Sequence, residues 1–257
     1  MDFRLLPSTF GPDGTASSKQ HLACIVVNDE IAIDAGSLAM AADDKLRSQL
    51  RNIVLTHAHL DHIAGLPLFV DDLYASLSSP IIIHALQEVI DVLERDVFNW
   101  AVFPRFSELN IGSGPAIEYR PIKPREKFEV CELTFQSFPS DHKVPSAGYL
   151  VSDGGSTVAI TGDTATLDGL SDVLSAAKDI KALLVECAFP NELVEIARSS
   201  HHMTPTILGS ELENLKPSCP VYVCNIKPGY RDKVVMQLED LAIQNLEIMA
   251  VGKPYSW

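Results

Sequence analysis

The chain lacks any apolar run that approaches the roughly 18 to 20 residues needed to cross a bilayer. Its first four residues also lack the basic region and apolar stretch of a secretory signal. Both absences disfavour a membrane protein. We therefore expect a cytoplasmic protein with no membrane partner.

Cysteine is scarce, and its spacing is uninformative for disulfides. The five cysteines are odd in number, scattered, and form no Cys-x-x-Cys pair. They predict reduced and mostly buried thiols, as in a cytosolic protein. These residues are Cys24, Cys131, Cys187, Cys219 and Cys224.

Basic residues are few, which bears on the class of substrate. Lys and Arg total 20 against 34 Asp and Glu, so the formal net charge is −14. Because nucleic-acid affinity depends largely on neutralising phosphates, a long polyanionic partner is disfavoured. The loose basic group at Arg120, Lys123, Arg125 and Lys127 is interpreted as a solvated loop. A small phosphodiester held locally by metal ions is compatible with this charge.

The most informative segment is Thr-His-Ala-His-Leu-Asp-His, residues 56–62, which directly follows the apolar run 52–55. The apolar run predicts a short buried strand, so the cluster lies on the loop that leaves its carboxyl end. Neutral imidazole suits zinc and iron, and a carboxylate adds an anionic ligand. The spacing predicts that His57 and His59 bind one metal ion while Asp61 and His62 face another.

Further motifs follow in an order typical of one superfamily. The cluster, with Gly65 after it, resembles the His-x-His-x-Asp-His motif of metallo-β-lactamase-fold hydrolases. Residues 140–142 and 161–164 resemble the third-histidine and bridging-aspartate motifs of that superfamily. Residues 186–191, 202–205 and 226–228 resemble its class II cyclic-nucleotide phosphodiesterase branch.

The resemblance implies a binuclear centre with two divalent ions. Zinc is expected, with manganese or iron as alternatives. Bound ions of this kind lower the pKa of a shared water and neutralise phosphoryl charge. Asp61 is also expected to orient the attacking water, and His202, just before a helix start, is our candidate proton donor. The implied metal ligands are His57, His59, Asp61, His62, His142, Asp163 and the residue at position 225.

Position 225 departs from the family pattern. Asn225 stands where the family has a histidine that completes the ligands of the second metal ion. An amide oxygen is a weaker, uncharged donor that matches harder cations. Three interpretations stay open: the second metal is weakly held, the preference shifts toward manganese or magnesium, or binuclear catalysis is lost.

The order of predicted elements favours an α/β fold. Opening strands are followed by strands that alternate with helices, which suits two sheets with outer helices. The resemblance implies a four-layer αββα sandwich of two mixed β-sheets flanked by helices. A helix is predicted over residues 38–50 with Ser37 as its cap, and another from residue 85 to about 98. With 46% hydrophobic residues, no linker and no repeat, the 257 residues predict a single domain over 1–257.

The predicted function is hydrolysis of 3′,5′-cyclic nucleotides to nucleoside 5′-monophosphates by a metal-dependent phosphodiesterase. Three alternatives are a tRNA 3′-end endoribonuclease, a thioester or lactone hydrolase on the same scaffold, and a non-catalytic binding protein in which Asn225 marks decay of the site. The expected partner is a small phosphodiester substrate. A homodimer is one assembly that the sequence allows.

Overall fold

The structure is a computed structural model that describes residues 1–174, 177 and 179–257. The chain divides into two compact units, and each contains one β-sheet. Unit 1 comprises Met1–Ser17, Leu22–Lys123 and Val251–Ser256, and unit 2 comprises Ser18–His21, Pro124–Ala250 and Trp257. The single domain over residues 1–257 stays a prediction.

The described residues form fourteen strands and nine α-helices. The strands are β1 Asp2–Leu5, β2 Ile25–Val27, β3 Ile31–Ile33, β4 Asn52–Val54, β5 Ile81–Leu86, β6 Ile117–Ile122, β7 Lys127–Val130, β8 Leu133–Pro139, β9 Ala147–Ser152, β10 Thr157–Ile160, β11 Ile180–Glu186, β12 Val221–Cys224, β13 Leu246–Ile248 and β14 Pro254–Ser256. The helices are α1 Leu38–Ala41, α2 Asp44–Gln49, α3 Leu60–Ile63, α4 Gly65–Leu73, α5 Gln87–Val92, α6 Asp168–Leu174, α7 Val194–Ser200, α8 Pro205–Leu215 and α9 Arg231–Asp240.

The sheet of unit 1 has the order β14-β1-β2-β3-β4-β5-β6. Its first four strands pair antiparallel, whereas β3 to β6 pair parallel. The residues of β2 and β3 are all buried, which explains their continuous apolar sequence. Because β3 and β4 run in the same direction, the loops that follow them leave the same edge of the sheet. Pro121 lies in β6, an edge strand, where a missing N–H is tolerated.

The sheet of unit 2 has the order β13-β12-β11-β10-β9-β8-β7. Strands β7 to β10 are antiparallel, and β10 to β13 are parallel. The carboxyl ends of β10, β11 and β12 therefore meet at one edge, where ligand sites of α/β sheets are commonly placed. A buried apolar cluster that includes Phe138, Leu183, Met203 and Leu208 supports this edge.

The prediction of one continuous helix over residues 38–50 is wrong. The structure has two short helices, α1 and α2, separated at Ala42 and Asp43. Ser37 makes no side-chain capping bond, whereas the carboxylate of Asp43 accepts a hydrogen bond from the backbone N–H of Leu46 at 2.8 Å. The carboxylate of Asp43 caps the first turn of α2 by accepting this backbone hydrogen bond, and a new helix therefore begins after Asp43.

The second predicted helix begins later than expected. Strand β5 extends to Leu86, so α5 starts at Gln87 and ends in a π-helical turn over Leu93–Val97. Continued parallel pairing with β6 explains the longer strand, because residues 84–86 pair with residues 120–122. Local apolar periodicity does not report this tertiary pairing.

Two mixed seven-stranded sheets with flanking helices confirm the predicted α/β fold class. Across the described ranges, every helix falls short of the length and apolar character that a bilayer crossing requires.

Candidate metal centre

Unit 1 carries the first ligand cluster, defined as His57, His59, Asp61 and His62. His57 leaves β4 through Leu55 and Thr56, and it is fully buried. The ring centroid of His57 lies 4.7 Å from that of His59 and 4.1 Å from that of His62. Unit 1 therefore brings the three imidazoles of the motif together. The assignment of His57 and His59 to one ion, and of Asp61 and His62 to another, stays a prediction.

A hydrogen bond fixes the ring orientation of two of these histidines. Nδ1 of His62 lies 2.7 Å from a carboxylate oxygen of Asp34, and Nδ1 of His57 lies 3.0 Å from the hydroxyl of Thr56. Asp34 also accepts hydrogen bonds from the backbone N–H and the hydroxyl of Thr56, at 2.8 and 2.9 Å. Asp34 thus supports both rings. In this arrangement Nε2 is the ring nitrogen that could bind a metal ion.

Sequence reasoning missed Asp34, although a signal was present. It follows the buried strand β3, which lies beside β4, and it precedes Ala-Gly. The glycine has a steric reason, since a Cβ at Gly36 would lie 2.0 Å from the backbone oxygen of Asp61. A polar residue at the end of a buried strand, followed by a glycine, could have indicated a close approach to the metal loop.

Asp61 is the member of the first ligand cluster with the weakest geometric support. It lies half-buried in the first turn of α3, and its backbone oxygen accepts a hydrogen bond from Ala23 at 2.8 Å. In the part of the chain that the structure describes, its carboxylate is not among the groups that gather within 4.8 Å of one another. Its role as ligand and water-orienting residue stays a prediction.

Unit 2 carries the second ligand cluster, defined as His142, Asp163, His202 and Asn225. One ligand atom each of His142, Asp163 and His202 lies within 4.8 Å of the others. His142 leaves β8, Asp163 follows β10, and His202 follows α7. Gly162 has a φ of 62°, a left-handed conformation that lets the chain turn sharply before Asp163.

The two histidines of the second ligand cluster are also oriented through Nδ1. The Nδ1 of His142 lies 3.0 Å from the backbone oxygen of His201, and the Nδ1 of His202 lies 2.7 Å from Glu186. Glu186 also accepts hydrogen bonds from the backbone N–H groups of Thr164, Ala188 and Met203. Glu186 is buried against His202 and is therefore not an exposed ion-pair partner.

Burial and charge act in opposite directions on this pair. Burial raises the pKa of the Glu186 carboxyl, although the hydrogen bond with His202 opposes the shift. Burial also disfavours the charged imidazolium, yet the hydrogen bond and charge of Glu186, with Asp163 nearby, raise the pKa of His202. The pair therefore favours a proton held on His202.

Asn225 lies beside Asp163, with its side-chain amide donating a hydrogen bond to that carboxylate. Its φ of 49° is left-handed, a conformation that asparagine tolerates better than most residues. The structure thus brings the substituted position to the predicted bridging aspartate.

The donor set fits divalent transition ions. Imidazole nitrogen and carboxylate oxygen are ligands for zinc, iron and manganese. Two histidines in each cluster hold Nδ1 against an oxygen atom, which is the usual arrangement around metal-binding histidines.

The chain is similar to known proteins over most of its length. A model of the beta-lactamase superfamily domain matches residues 31–221, about three-quarters of the chain. The chain is 28% identical to a Yersinia pestis protein named "Probable 3',5'-cyclic-nucleotide phosphodiesterase", over 86% of this chain and 78% of that protein. It is 27% identical to a ribonuclease Z of Bradyrhizobium diazoefficiens, over 74% of this chain and 78% of that protein.

Solved structures share the fold. Unliganded yeast PDE1 matches with a TM-score of 0.78 and 18% identity, over 98% of both chains. At that identity the likeness concerns the fold alone. The family model matches most of the chain, and this protein therefore belongs to the beta-lactamase superfamily.

Proposed function

We propose that this protein is a metal-dependent phosphodiesterase that hydrolyses 3′,5′-cyclic nucleotides to nucleoside 5′-monophosphates. The observation that carries the proposal is the shared orientation of four histidines. His57, His62, His142 and His202 each use Nδ1 for a hydrogen bond to an oxygen atom. Such support orients the ring of a metal ligand, as we propose for His57, His62 and His142, or that of a proton donor, as we propose for His202.

The ligands in this proposal come from both clusters, as the sequence motifs suggest. We assign the ligands of two divalent ions to His57, His59, Asp61 and His62 in the first ligand cluster, and to His142, Asp163 and the weak donor Asn225 in the second. Bound ions of this kind supply a water with a lowered pKa and neutralise charge on the phosphoryl oxygens.

His202 supplies the proton for the leaving ribose oxygen. Its imidazolium is stabilised by Glu186, which accepts from Nδ1 at 2.7 Å and leaves Nε2 to act as the donor atom. A histidine paired with a buried carboxylate can hold a proton near neutral pH, as a general acid requires. Asp61 orients the attacking water.

Asn225 predicts a weaker second site. Its amide N–H faces Asp163, so it would have to present its oxygen instead in order to bind an ion. A preference for manganese at this site follows from the harder donor.

Cyclic nucleotides are favoured as substrates by the relatives that carry that name and by the charge of the chain. A net charge of −14 opposes a long nucleic acid more than a small cyclic phosphodiester. The five cysteines, scattered and odd in number, agree with action in the reducing cytoplasm.

Processing of tRNA 3′ ends is the second candidate, because a ribonuclease Z is among the relatives. One screen separates the candidates. Purified protein supplied with zinc or manganese is assayed on cyclic AMP, cyclic GMP, bis(p-nitrophenyl) phosphate and a precursor tRNA. Cleavage of a cyclic nucleotide but not of the tRNA is expected. Cleavage of the tRNA alone would replace the proposal by the second candidate, and activity on neither would refute both.

A further inference from the structure

The turn that joins α7 to the second ligand cluster contains a residue in an uncommon backbone conformation. His201 ends α7 with φ 56° and ψ 59°, in the left-handed region. A side chain with a Cβ is disfavoured there by roughly 1–2 kcal/mol, which is why glycine or asparagine is usual at this place in a helix end. A histidine at this position therefore calls for a compensating interaction.

His201 makes two hydrogen bonds to the loop that carries His142. Its backbone oxygen accepts from Nδ1 of His142 at 3.0 Å. Its own Nδ1 lies 3.0 Å from a carboxylate oxygen of Asp141, the residue before His142. The side chain of His201 is only 34% exposed.

The backbone of this loop is also hydrogen-bonded to the segment that follows Asp163. The backbone N–H of Asp141 donates to the hydroxyl of Thr164 at 3.0 Å, and the backbone oxygen of Asp141 accepts from Ala165 at 2.8 Å. Thr164 directly follows Asp163. The orientation of the His142 ring therefore depends on the turn at His201. The His201 side chain is itself anchored to Asp141, the residue before His142.

We propose that His201 is a positioning residue for the metal centre. Its imidazole, paired with Asp141, holds the left-handed turn in place, and the carbonyl of that turn fixes Nδ1 of His142 and directs Nε2 toward the ion. This inference rests on the proposed function, since it requires His142 to bind metal. Partners that orient a ligand histidine are typically worth 10–100-fold in metal affinity.

The test compares metal affinity with stability of the metal-free protein. His201→Gly keeps the carbonyl and favours the left-handed backbone, but it removes the anchor to Asp141. Affinity is measured by competition for Zn²⁺ with a chromophoric chelator, and the visible absorption spectrum of Co²⁺-loaded protein reports the geometry of the ligands. We expect roughly 10-fold or greater loss of Zn²⁺ affinity and a changed Co²⁺ spectrum, with an unchanged unfolding midpoint of the metal-free protein.

Two further variants sharpen the test. His201→Asn tolerates the left-handed turn and can still donate to Asp141, so it should restore most of the affinity. The double variant His201→Gly with Asp141→Asn should lose no more affinity than the first change alone, because both remove the same pair. Glu195→Ala is the matched control. It breaks the exposed Glu195–Arg198 pair of α7 and should leave both measurements unchanged.

Each outcome decides the question. Unchanged Zn²⁺ affinity in His201→Gly, in a wild type that binds metal, would overturn this inference and leave the proposed function intact. An unfolding midpoint that falls in His201→Gly and recovers in His201→Asn, without a separate change in affinity or spectrum, would make His201 merely structural. A wild type that binds neither Zn²⁺ nor Co²⁺ would refute the metal centre, and this inference with it.

Discussion

Each unit contains a buried carboxylate that is hydrogen-bonded to a buried histidine at 2.7 Å, and the two pairs differ in what else the carboxylate holds. In unit 1, Asp34 holds His62 and a single residue of the neighbouring loop, Thr56. In unit 2, Glu186 holds His202 and the backbones of three separate loops. The first carboxylate orients ligands that already lie close together in sequence, whereas the second gathers segments that do not.

The difference has a physical origin in chain order. The first ligand cluster spans six residues, so one loop after one strand places it. The second spans residues 142–225 and requires the exits of several strands of one sheet to coincide. Support that connects different loops is therefore needed in unit 2, and a single buried carboxylate with several acceptor positions meets that need.

The largest expected effect concerns the carboxylate that we assign as a ligand. Asp163→Ala should lower kcat/KM on cyclic AMP by roughly 1,000-fold, about 4 kcal/mol, because stabilisation by bound metal is worth several kcal/mol. Steady-state kinetics with excess manganese measures this, and circular dichroism during heating checks that unfolding stays cooperative. Asp168→Ala, an exposed aspartate of α6, is the matched control. A loss below tenfold in Asp163→Ala would contradict its assignment as a ligand.

The next prediction ranks the two supporting carboxylates. Glu186→Ala should lower the free energy of unfolding of the metal-free protein by roughly 4 kcal/mol, and Asp34→Ala by roughly 3 kcal/mol. The order follows from the number of buried donors left without an acceptor, which include three backbone N–H groups for Glu186 and one for Asp34. Urea denaturation gives both values. A greater loss in Asp34→Ala would mean that loop gathering in unit 2 contributes less than we infer.

A third prediction uses acid to distinguish the buried histidines. In unit 1, burial, with the charge of Arg120 nearby, lowers the pKa of His84 to about 4, whereas the pKa of His202 in unit 2 is raised. His84 is therefore neutral in the folded state, and the unfolded state takes up a proton below its ordinary pKa of about 6.5. The stability that depends on this histidine is fully present above pH 6.5 and is lost as the pH falls toward 4.

The expected loss is roughly 2 kcal/mol between pH 7.5 and pH 4.5. Urea denaturation at both pH values measures it in the wild type and in His84→Gln, whose amide does not titrate. The variant should lose about 2 kcal/mol less on acidification than the wild type. Equal losses of unfolding free energy in the two proteins would show that His84 does not contribute to the acid destabilisation between pH 7.5 and pH 4.5.

The smallest effect concerns Asn225. Protein as purified should contain less than two equivalents of zinc, and Asn225→His should bring the content close to two. It should also tighten the second site by roughly tenfold, since imidazole is the better donor for a borderline-soft cation. Elemental analysis after dialysis measures the content, and Asn225→Ala should bind no more tightly than the wild type.

Two results would count against this view of Asn225. One is a wild type with two tightly bound ions and a histidine variant that gains neither metal nor rate. The other is a histidine variant that binds two ions and cleaves no cyclic phosphodiester, which would show that the substrate assignment is wrong.

The fold class and the first ligand cluster could be predicted because their signals are local. The apolar run 52–55 predicts the short strand β4, and the histidine spacing of residues 57–62 specifies one loop. The break at Asp43 could not be predicted from apolar periodicity, since one side-chain hydrogen bond decides it. The role of His201 is also hidden, because it acts through residues 59 and 60 positions away.

The pairing of β1 with β14 has a consequence for how the chain folds as it is made. These strands join residues 2–4 to residues 254–256, with almost the whole sequence between them. Every strand of unit 2 is synthesised before β14, so unit 2 can complete its sheet while the outer strand of unit 1 is still missing. Until then β1 has an open edge with unpaired backbone groups, and such edges recruit other strands. A chain truncated before residue 254 would keep every strand of unit 2 but leave the edge of β1 unpaired, and we expect it to aggregate more readily than the chain that contains β14.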